Sequence, residues 1–196
     1  MMLGATLLLA SCGRDPVLGP PADAEIVVGA GNTAPGQVMA DIVTDGLARG
    51  GFPVATRAIG DRAEVLAALD DNSVTLVTGL TGELLRYFNP NAPQGKPKQE
   101  CESLSRALPA DLAVSDCTEA QWSLTEGTDE GDDDAAPART IVALYRAGAL
   151  NDRQQRRLNL VLGTLTQADV VTVRTAVERG RPSTDIAREW LDSHNL

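Results

Sequence analysis

The chain has 196 residues and a formal net charge of -10 at pH 7. This excess of acidic groups argues against partners that need a basic surface, such as nucleic acids and anionic membranes. Hydrophobic residues make up 43% of the sequence, enough for the core of one ordinary domain. Aromatic residues make up only 3%. No apolar stretch approaches the length of a membrane-spanning helix.

The first residues have the order of a secretion signal. A short apolar run ends in Leu9-Ala10-Ser11, and Cys12 follows. No Lys or Arg precedes the run, but an apolar segment followed by small residues is typical of a signal peptide. The same residues resemble the lipobox of bacterial lipoproteins, which implies a lipid on the cysteine. We predict a signal peptide over 1–11, lipidation of Cys12 and a flexible tether over 12–24; the alternative is a frayed apolar tail on a cytosolic protein.

Residues 25–88 alternate between strand and helix patterns. Apolar runs at 25–28, 52–57 and 74–77 predict strands, and apolar residues at helical spacing follow the first two. A glycine-containing turn over 78–82 then leads into a helix over 83–88. This β-α-β-α-β-α order predicts an open, mostly parallel sheet flanked by helices.

The middle of the chain, 89–139, changes in composition. It contains a short helix pattern at 104–108, a short strand pattern at 113–114 and an acidic run at 129–134. We interpret the acidic run as a solvated loop rather than a cation site, because it lacks the ligand spacing of a calcium-binding loop.

Three cysteines are present. If Cys12 carries lipid, Cys101 and Cys117 remain as a pair that an oxidising compartment allows to form a disulfide. The bond would close a loop of about fifteen residues and contribute roughly 3 kcal/mol. Two free thiols are the alternative.

Regular patterns return over 140–196. A strand is predicted at 140–145, and we expect it to join the same parallel sheet. Asn151 and Thr166 are predicted to cap two helices, and Ser183 to cap the last. Trp190 lies on the apolar face of that last helix and is predicted to be core, whereas the single histidine, His194, is predicted to be a solvated surface residue.

Two corners between strand and helix are candidate binding loops. Ligands of open parallel sheets bind at the carboxyl ends of the strands, where we expect Gly31-Asn32-Thr33 and Thr78-Gly79-Leu80-Thr81-Gly82. Free amides at the helix starts could receive an anionic or polar ligand group. The first corner does not fit the spaced dinucleotide fingerprint, and the alternative is that both are simply tight turns.

Catalytic patterns are absent from the sequence. It contains no G-x-S-x-G elbow and no histidine placed to serve a nucleophile. A zinc site is unlikely with one histidine near the carboxyl end. We therefore predict a protein that is not an enzyme and that uses no cofactor and no metal.

Several segments resemble the osmoprotectant-binding proteins, the substrate-binding subunits of glycine betaine, choline and carnitine ABC importers. The segments are 26–42, 59–66, 76–85, 145–150, 162–166 and 187–191, in the family's order. The resemblance implies one lobe of a periplasmic-binding-protein-like clamshell, formed by 25–88 and 140–196. It also implies that 89–139 is a shortened insert where the family has a second lobe.

This sequence departs from that family at the residues that form the ligand cage. Its members hold quaternary ammonium groups among aromatic rings, which attract cations. Here Val77 and Leu80 stand where the family has tyrosines. Trp122 is the one aromatic residue that could replace a cage wall, whereas Tyr87 and Phe88 could be core or rim. The predicted ligand-binding residues are Gly31, Asn32, Thr33, Thr78, Gly79, Thr81 and Trp122.

Two functions follow from these patterns. The first is a monomeric solute-binding lipoprotein on the extracytoplasmic face of the cell membrane, which delivers a small quaternary-ammonium or similar solute to an ABC permease. The second is an envelope lipoprotein with a structural or protein-interaction role that has lost ligand binding. The missing aromatic residues favour the second, and the order of the segments favours the first.

Overall fold

The computed structural model describes residues 24–60, 62–93, 95–122 and 140–196, and only the backbone of residues 62 and 63. The predicted signal peptide, Cys12 and the acidic run lie outside these ranges. In chain order the elements are β1 (Ile26–Ala30), α1 (Ala34–Arg49), β2 (Val54–Ala58), α2 (Arg62–Asp70), β3 (Leu76–Leu80), α3 (Thr81–Phe88), α4 (Pro97–Ala107), β4 (Leu112–Val114), β5 (Ile141–Arg146), α5 (Asp152–Thr164), α6 (Gln167–Glu178) and α7 (Ser183–Ser193).

The five described strands form one sheet in the order β2-β1-β3-β5-β4. β1 lies parallel to β2 and to β3, and helices flank the sheet, which confirms the predicted fold class. The expected direction of β5 is wrong: it runs antiparallel to β3 and β4. Ile141, the first residue of β5, pairs with Leu80, the last residue of β3. The chain therefore enters the sheet beside the carboxyl end of β3, and β5 runs in the opposite direction to β3.

The helices divide between the two faces of the sheet. Side chains from α1, α5, α6 and α7 share one apolar cluster with Val28, Leu76 and Ala143. Side chains from α2, α3 and α4 share the other with Val77 and Val142. Successive residues of a strand point to opposite faces, so β3 and β5 supply both clusters. The connections β1-α1-β2 and β2-α2-β3 move in opposite directions across the sheet, which puts their helices on opposite faces.

Local signals set the starts of α5 and α6. Asn151 Oδ1 accepts from the amides of Arg153 and Gln154, both at 3.0 Å, while Gln154 Oε1 accepts from the amide of Asn151 at 2.9 Å. Thr166 and Asp169 make the same reciprocal arrangement at α6. These two predicted caps are confirmed. The predicted cap of α7 is off by one residue, because Ser183 is already helical and Pro182 is the N-cap.

The described part of the middle segment packs onto the same sheet. α4 contacts α3, and β4 pairs with β5 at the sheet edge. The helix predicted at 104–108 begins earlier, at Pro97. A disulfide joins Cys101 of α4 to Cys117 beyond β4, with the two Cα atoms 6.4 Å apart. The segment after β4 is thereby tied to the helical layer.

His194 is not the solvated surface residue that the sequence predicts. Its Nδ1 lies 2.9 Å from the carbonyl oxygen of Trp190, and its ring lies against the Trp190 ring with centroids 4.7 Å apart. Its Nε2 lies 3.5 Å from Asp169 Oδ1. Trp190 itself is buried, as predicted. His194 therefore helps to join the end of α7 to the start of α6.

Candidate ligand-binding site

The corner between β1 and α1 is built from small residues. Thr33 is the N-cap of α1, and its Oγ1 accepts from the amide of Gly36 at 3.2 Å. Pro35 lies in the first turn and has no amide hydrogen to donate. Because one first-turn amide is used and another is missing, this helix start offers a ligand fewer donors than the sequence suggests. Gly31 borders open space, since a Cβ built there would meet nothing within 4 Å.

The corner between β3 and α3 is not the predicted turn over 78–82. Thr78 to Leu80 are the last residues of β3 and pair with β5, and α3 begins at once with Thr81. Leu80 is the N-cap, and no described side chain caps the helix there. Thr81 is fully buried, and its amide donates to the carbonyl oxygen of Thr140 at 2.9 Å. β3 thus continues into α3 without a loop, and the start of α3 lies at the carboxyl end of the parallel strands.

A pocket of about 440 Å³ lies between these two corners, at the carboxyl ends of β1, β2 and β3. Its volume falls within the range of about 300–1,000 Å³ that is typical of small-molecule sites. The described lining combines residues of both corners with side chains from α1, α2, α3 and the segment before β5: Gly29, Gly31, Asn32, Thr33, Pro35, Gly36, Met39, Gly60, Val65, Leu66, Val77, Thr78, Gly79, Leu80, Glu83, Leu84, Trp122 and Ile141.

Gly29 allows side chains to pack closely against the floor of the pocket. A Cβ there would lie 2.6 Å from Ile59 Cδ1 and 2.7 Å from Val77 Cγ1. Side chains of Ile59 and Val77 therefore approach the backbone of β1 directly. A larger residue at this position would push these neighbours apart and change the shape of the pocket.

Several polar contacts hold the segment that leads to Trp122. Ser115 Oγ accepts from the amide of Ala143 at 3.0 Å. Gln121 donates its amide to Gln167 Oε1 at 2.9 Å and accepts at its carbonyl oxygen from Gln167 Nε2 at 3.2 Å. Together with the Cys101–Cys117 disulfide, these contacts tie the segment to both faces of the sheet.

Trp122 forms part of the pocket wall and is only 2% exposed. Its Nε1 is buried and has no hydrogen-bond partner among the residues that the structure describes. Nearly all buried donors in folded proteins have a partner. Trp122 Nε1 is an exception, and its burial means that surrounding protein atoms enclose it.

The pocket brings together six of the seven residues that the sequence predicts to bind ligand. Thr81 is the exception, since it is buried behind the start of α3 and is not part of the described lining. Val77 and Leu80, the residues at the family's tyrosine positions, also line the pocket. Tyr87 is 53% exposed and is not among the described lining residues, so it is neither core nor pocket rim, whereas Phe88 is partly buried against the apolar cluster of α2, α3 and α4.

Sequence reasoning missed Met39, Leu66 and Glu83, which also line the pocket. The positions of these residues along their predicted helices could have indicated that they face the site. Met39 shares a face of α1 with core residues, and Glu83 falls in the first turn of α3. Residues in the first turn after a binding corner are the ones most able to reach its ligand. Within the described ranges, no group of three or more metal-binding side chains is found, and no helix is long and apolar enough to cross a membrane.

Comparison with known proteins gives matches in structure. A scan against models of protein families finds no match, and neither does a search of curated proteins. A structure titled as a glycine betaine/carnitine/choline ABC transporter superposes with a TM-score of 0.69 at 11% identity, covering 87% of this chain and 98% of that one. Apo YehZ from Escherichia coli superposes with a TM-score of 0.71 at 10% identity, covering 87% and 99%. The chain therefore has the fold of a periplasmic-binding-protein-like lobe.

Proposed function

We propose that this protein is a membrane-anchored solute-binding protein that works with an ABC permease. The observation that carries the proposal is the pocket of about 440 Å³ between the β1-α1 and β3-α3 corners. Pockets in open α/β sheets serve as binding sites at this edge, where neighbouring connections diverge. The solute is a small molecule with a cationic nitrogen, of the quaternary-ammonium kind or similar.

The composition of the wall supports a binding role. Apolar side chains such as Met39, Leu66 and Ile141 bury the body of a ligand, and a few polar groups, among them Asn32 and Thr78, can fix its orientation.

The transport partner and the location are inferred from likeness and from the amino terminus. One structure with the same fold is that of a glycine betaine/carnitine/choline ABC transporter, and by analogy with it we propose that this protein delivers its solute to a permease. Cys12, after its apolar run, would hold the protein on the extracytoplasmic face of the membrane through a lipid. Replacing Cys12 with Ser should release the protein from the membrane fraction, and continued anchoring would contradict the lipid assignment.

Thermal unfolding with added solutes tests binding. Glycine betaine, choline and carnitine should raise the melting temperature of the chain that starts at residue 12, since a ligand at a hundred times its dissociation constant adds about 2.7 kcal/mol of stability. Gly31→Leu places a side chain where a Cβ meets open space, so it should fill the pocket and abolish the shift.

Gly163→Leu is the matched control. Gly163 is an exposed residue of α5 where an added Cβ also meets nothing within 4 Å, so the same substitution leaves the pocket intact and should preserve the shift. If no solute with a cationic nitrogen shifts the melting temperature of the unmodified protein at millimolar concentration, the proposal fails. The alternative of an envelope lipoprotein with a structural role would then stand.

A further inference from the structure

The charge of the pocket wall narrows the chemistry of the solute. Among the described lining residues, Glu83 is the one charged side chain and Trp122 the one aromatic side chain. Glu83 lies in the first turn of α3, so a helix fixes its position beside the β3-α3 corner. Glu83 also has an interaction within the protein, and a ligand ammonium would bind beside it. The wall is therefore acidic and poor in rings.

Such a wall suits one class of ammonium group better than another. A quaternary ammonium has no N–H to donate, and aromatic faces are the surfaces that best attract it. A protonated amine has N–H groups that make charge-assisted hydrogen bonds to a carboxylate, roughly twice as strong as neutral ones. One ring and one carboxylate thus favour an amine that retains its N–H groups.

Polar groups on another part of the wall favour an oxygen in the ligand. The hydroxyl of Thr78 and the side-chain amide of Asn32 line the same pocket, and each can donate a hydrogen bond to a carboxylate or hydroxyl oxygen.

We infer that the pocket selects a small solute with an N–H-bearing ammonium group and an oxygen acceptor, and that Glu83 pairs with the ammonium. This inference rests on the proposed function, because it assumes that the pocket binds a solute. It narrows the proposed solutes to those whose ammonium group carries hydrogen, so methylation of the nitrogen should weaken binding.

Three matched pairs test this selectivity in isothermal titration of the chain that starts at residue 12. They are glycine and glycine betaine, ethanolamine and choline, and 4-amino-3-hydroxybutyrate and carnitine. Each pair differs only in methylation of the nitrogen. We expect the unmethylated member to bind at least about tenfold more tightly, the effect of losing hydrogen bonds to a charged group. Quaternary members that bind equally well or better would overturn the inference and leave the proposed function standing. If neither member of any pair binds, the proposed function fails and the inference fails with it.

Glu83→Gln tests the role of the carboxylate with little change in shape. It should weaken binding of the unmethylated members by about tenfold to a hundredfold, and that of the quaternary members by less. Glu102→Gln is the matched control, since Glu102 is exposed on α4 and is not among the described lining residues. An equal loss for both members of each pair would overturn the role of Glu83. Circular dichroism checks folding, and if Glu83→Gln does not fold, the unmodified protein's selectivity decides alone.

Discussion

The start of α3 beside the pocket and the starts of α5 and α6 in the carboxyl-terminal region are completed in different ways. α5 and α6 each begin with a reciprocal capping box, so side chains at their own starts bond to their first amides. α3 has Leu80 as its N-cap and no side-chain cap among the described residues, and the amide of Thr81 donates instead to the carbonyl oxygen of Thr140. The difference teaches that local sequence sets the starts of α5 and α6, whereas pairing with a distant part of the chain sets the start of α3 beside the pocket.

The largest stability effect should come from the core beneath α5. Leu158 is fully buried there, and Leu158→Ala should lower the free energy of unfolding by about 2–5 kcal/mol, measured by urea denaturation. Solute binding well below the melting temperature should not change. Leu160→Ala on the same helix is the control: Leu160 is 51% exposed, and its loss should cost no more than about 0.5 kcal/mol. Equal costs would contradict the described face of α5.

The disulfide should have the next largest effect. Replacing both Cys101 and Cys117 with Ser should cost about 3 kcal/mol of stability. Added reductant should destabilise the unmodified protein but not this variant. Trp122 should keep its place, because Gln121 remains bonded to Gln167. In a Trp190→Phe background, Trp122 is the sole tryptophan, and a shift of its fluorescence on loss of the disulfide would show that the bond, and not the hydrogen bonds, holds the pocket wall.

The cap of α6 should contribute less. Thr166 accepts from the amide of Asp169 at 3.2 Å, and Thr166→Ala should lower the free energy of unfolding by about 1 kcal/mol. Thr172→Ala is the matched control, since Thr172 is an exposed residue within the same helix and alanine is the better helix former. A comparable loss for both would show that the cap is not what stabilises α6.

The smallest effect is one of pH. Burial alone would raise the pKa of Asp169, but hydrogen bonds from Thr166 and the charge of His194 outweigh it and hold the pKa below its ordinary value of 3.8. A carboxyl group whose pKa is lower in the folded than in the unfolded chain stabilises the fold at pH values above the pKa of the unfolded chain. This stabilisation is lost as the pH falls through the pKa of the folded chain. Unmodified protein should therefore exceed Asp169→Asn in stability at pH 7, and the difference should shrink below about pH 4. A difference that grows with acid would reverse the sign of this pKa shift.

Elements set by nearby residues could be predicted from the sequence. The caps at Asn151 and Thr166 depend on side chains three residues away, and the strand cores depend on short apolar runs. The continuation of β3 through Gly79 could not be predicted, because glycine weakens a strand and here the pairing with Val142 of β5 compensates. The antiparallel direction of β5 likewise depends on where the distant returning chain enters the sheet.

The residues of the candidate site also divide into those that nearby sequence predicts and those that distant contacts position. Gly31 and Thr78 could be placed at one end of the sheet because each follows a run that the sequence predicts to be a parallel strand. Trp122 is one of only six aromatic residues in the sequence, which is the reason to expect it at the site, and the structure brings it to the pocket wall. Leu66 could not be predicted, since its approach to the pocket depends on how α2 is rotated against the sheet, whereas the place of Glu83 in the first turn after the corner was a usable signal. Thr81 was included because it lies within a glycine-containing segment, yet the immediate start of α3 buries it.

The direction of β1 has a geometric consequence for attachment. This strand enters the sheet at Ile26, at the end opposite the pocket, and reaches the pocket about 13 Å later at Ala30. A lipid tether ahead of Ile26, as we propose, would therefore be joined to the protein on the side opposite the pocket. A tether as flexible as the one predicted over 12–24 would let the protein turn, so that the pocket could face either the surroundings or the membrane.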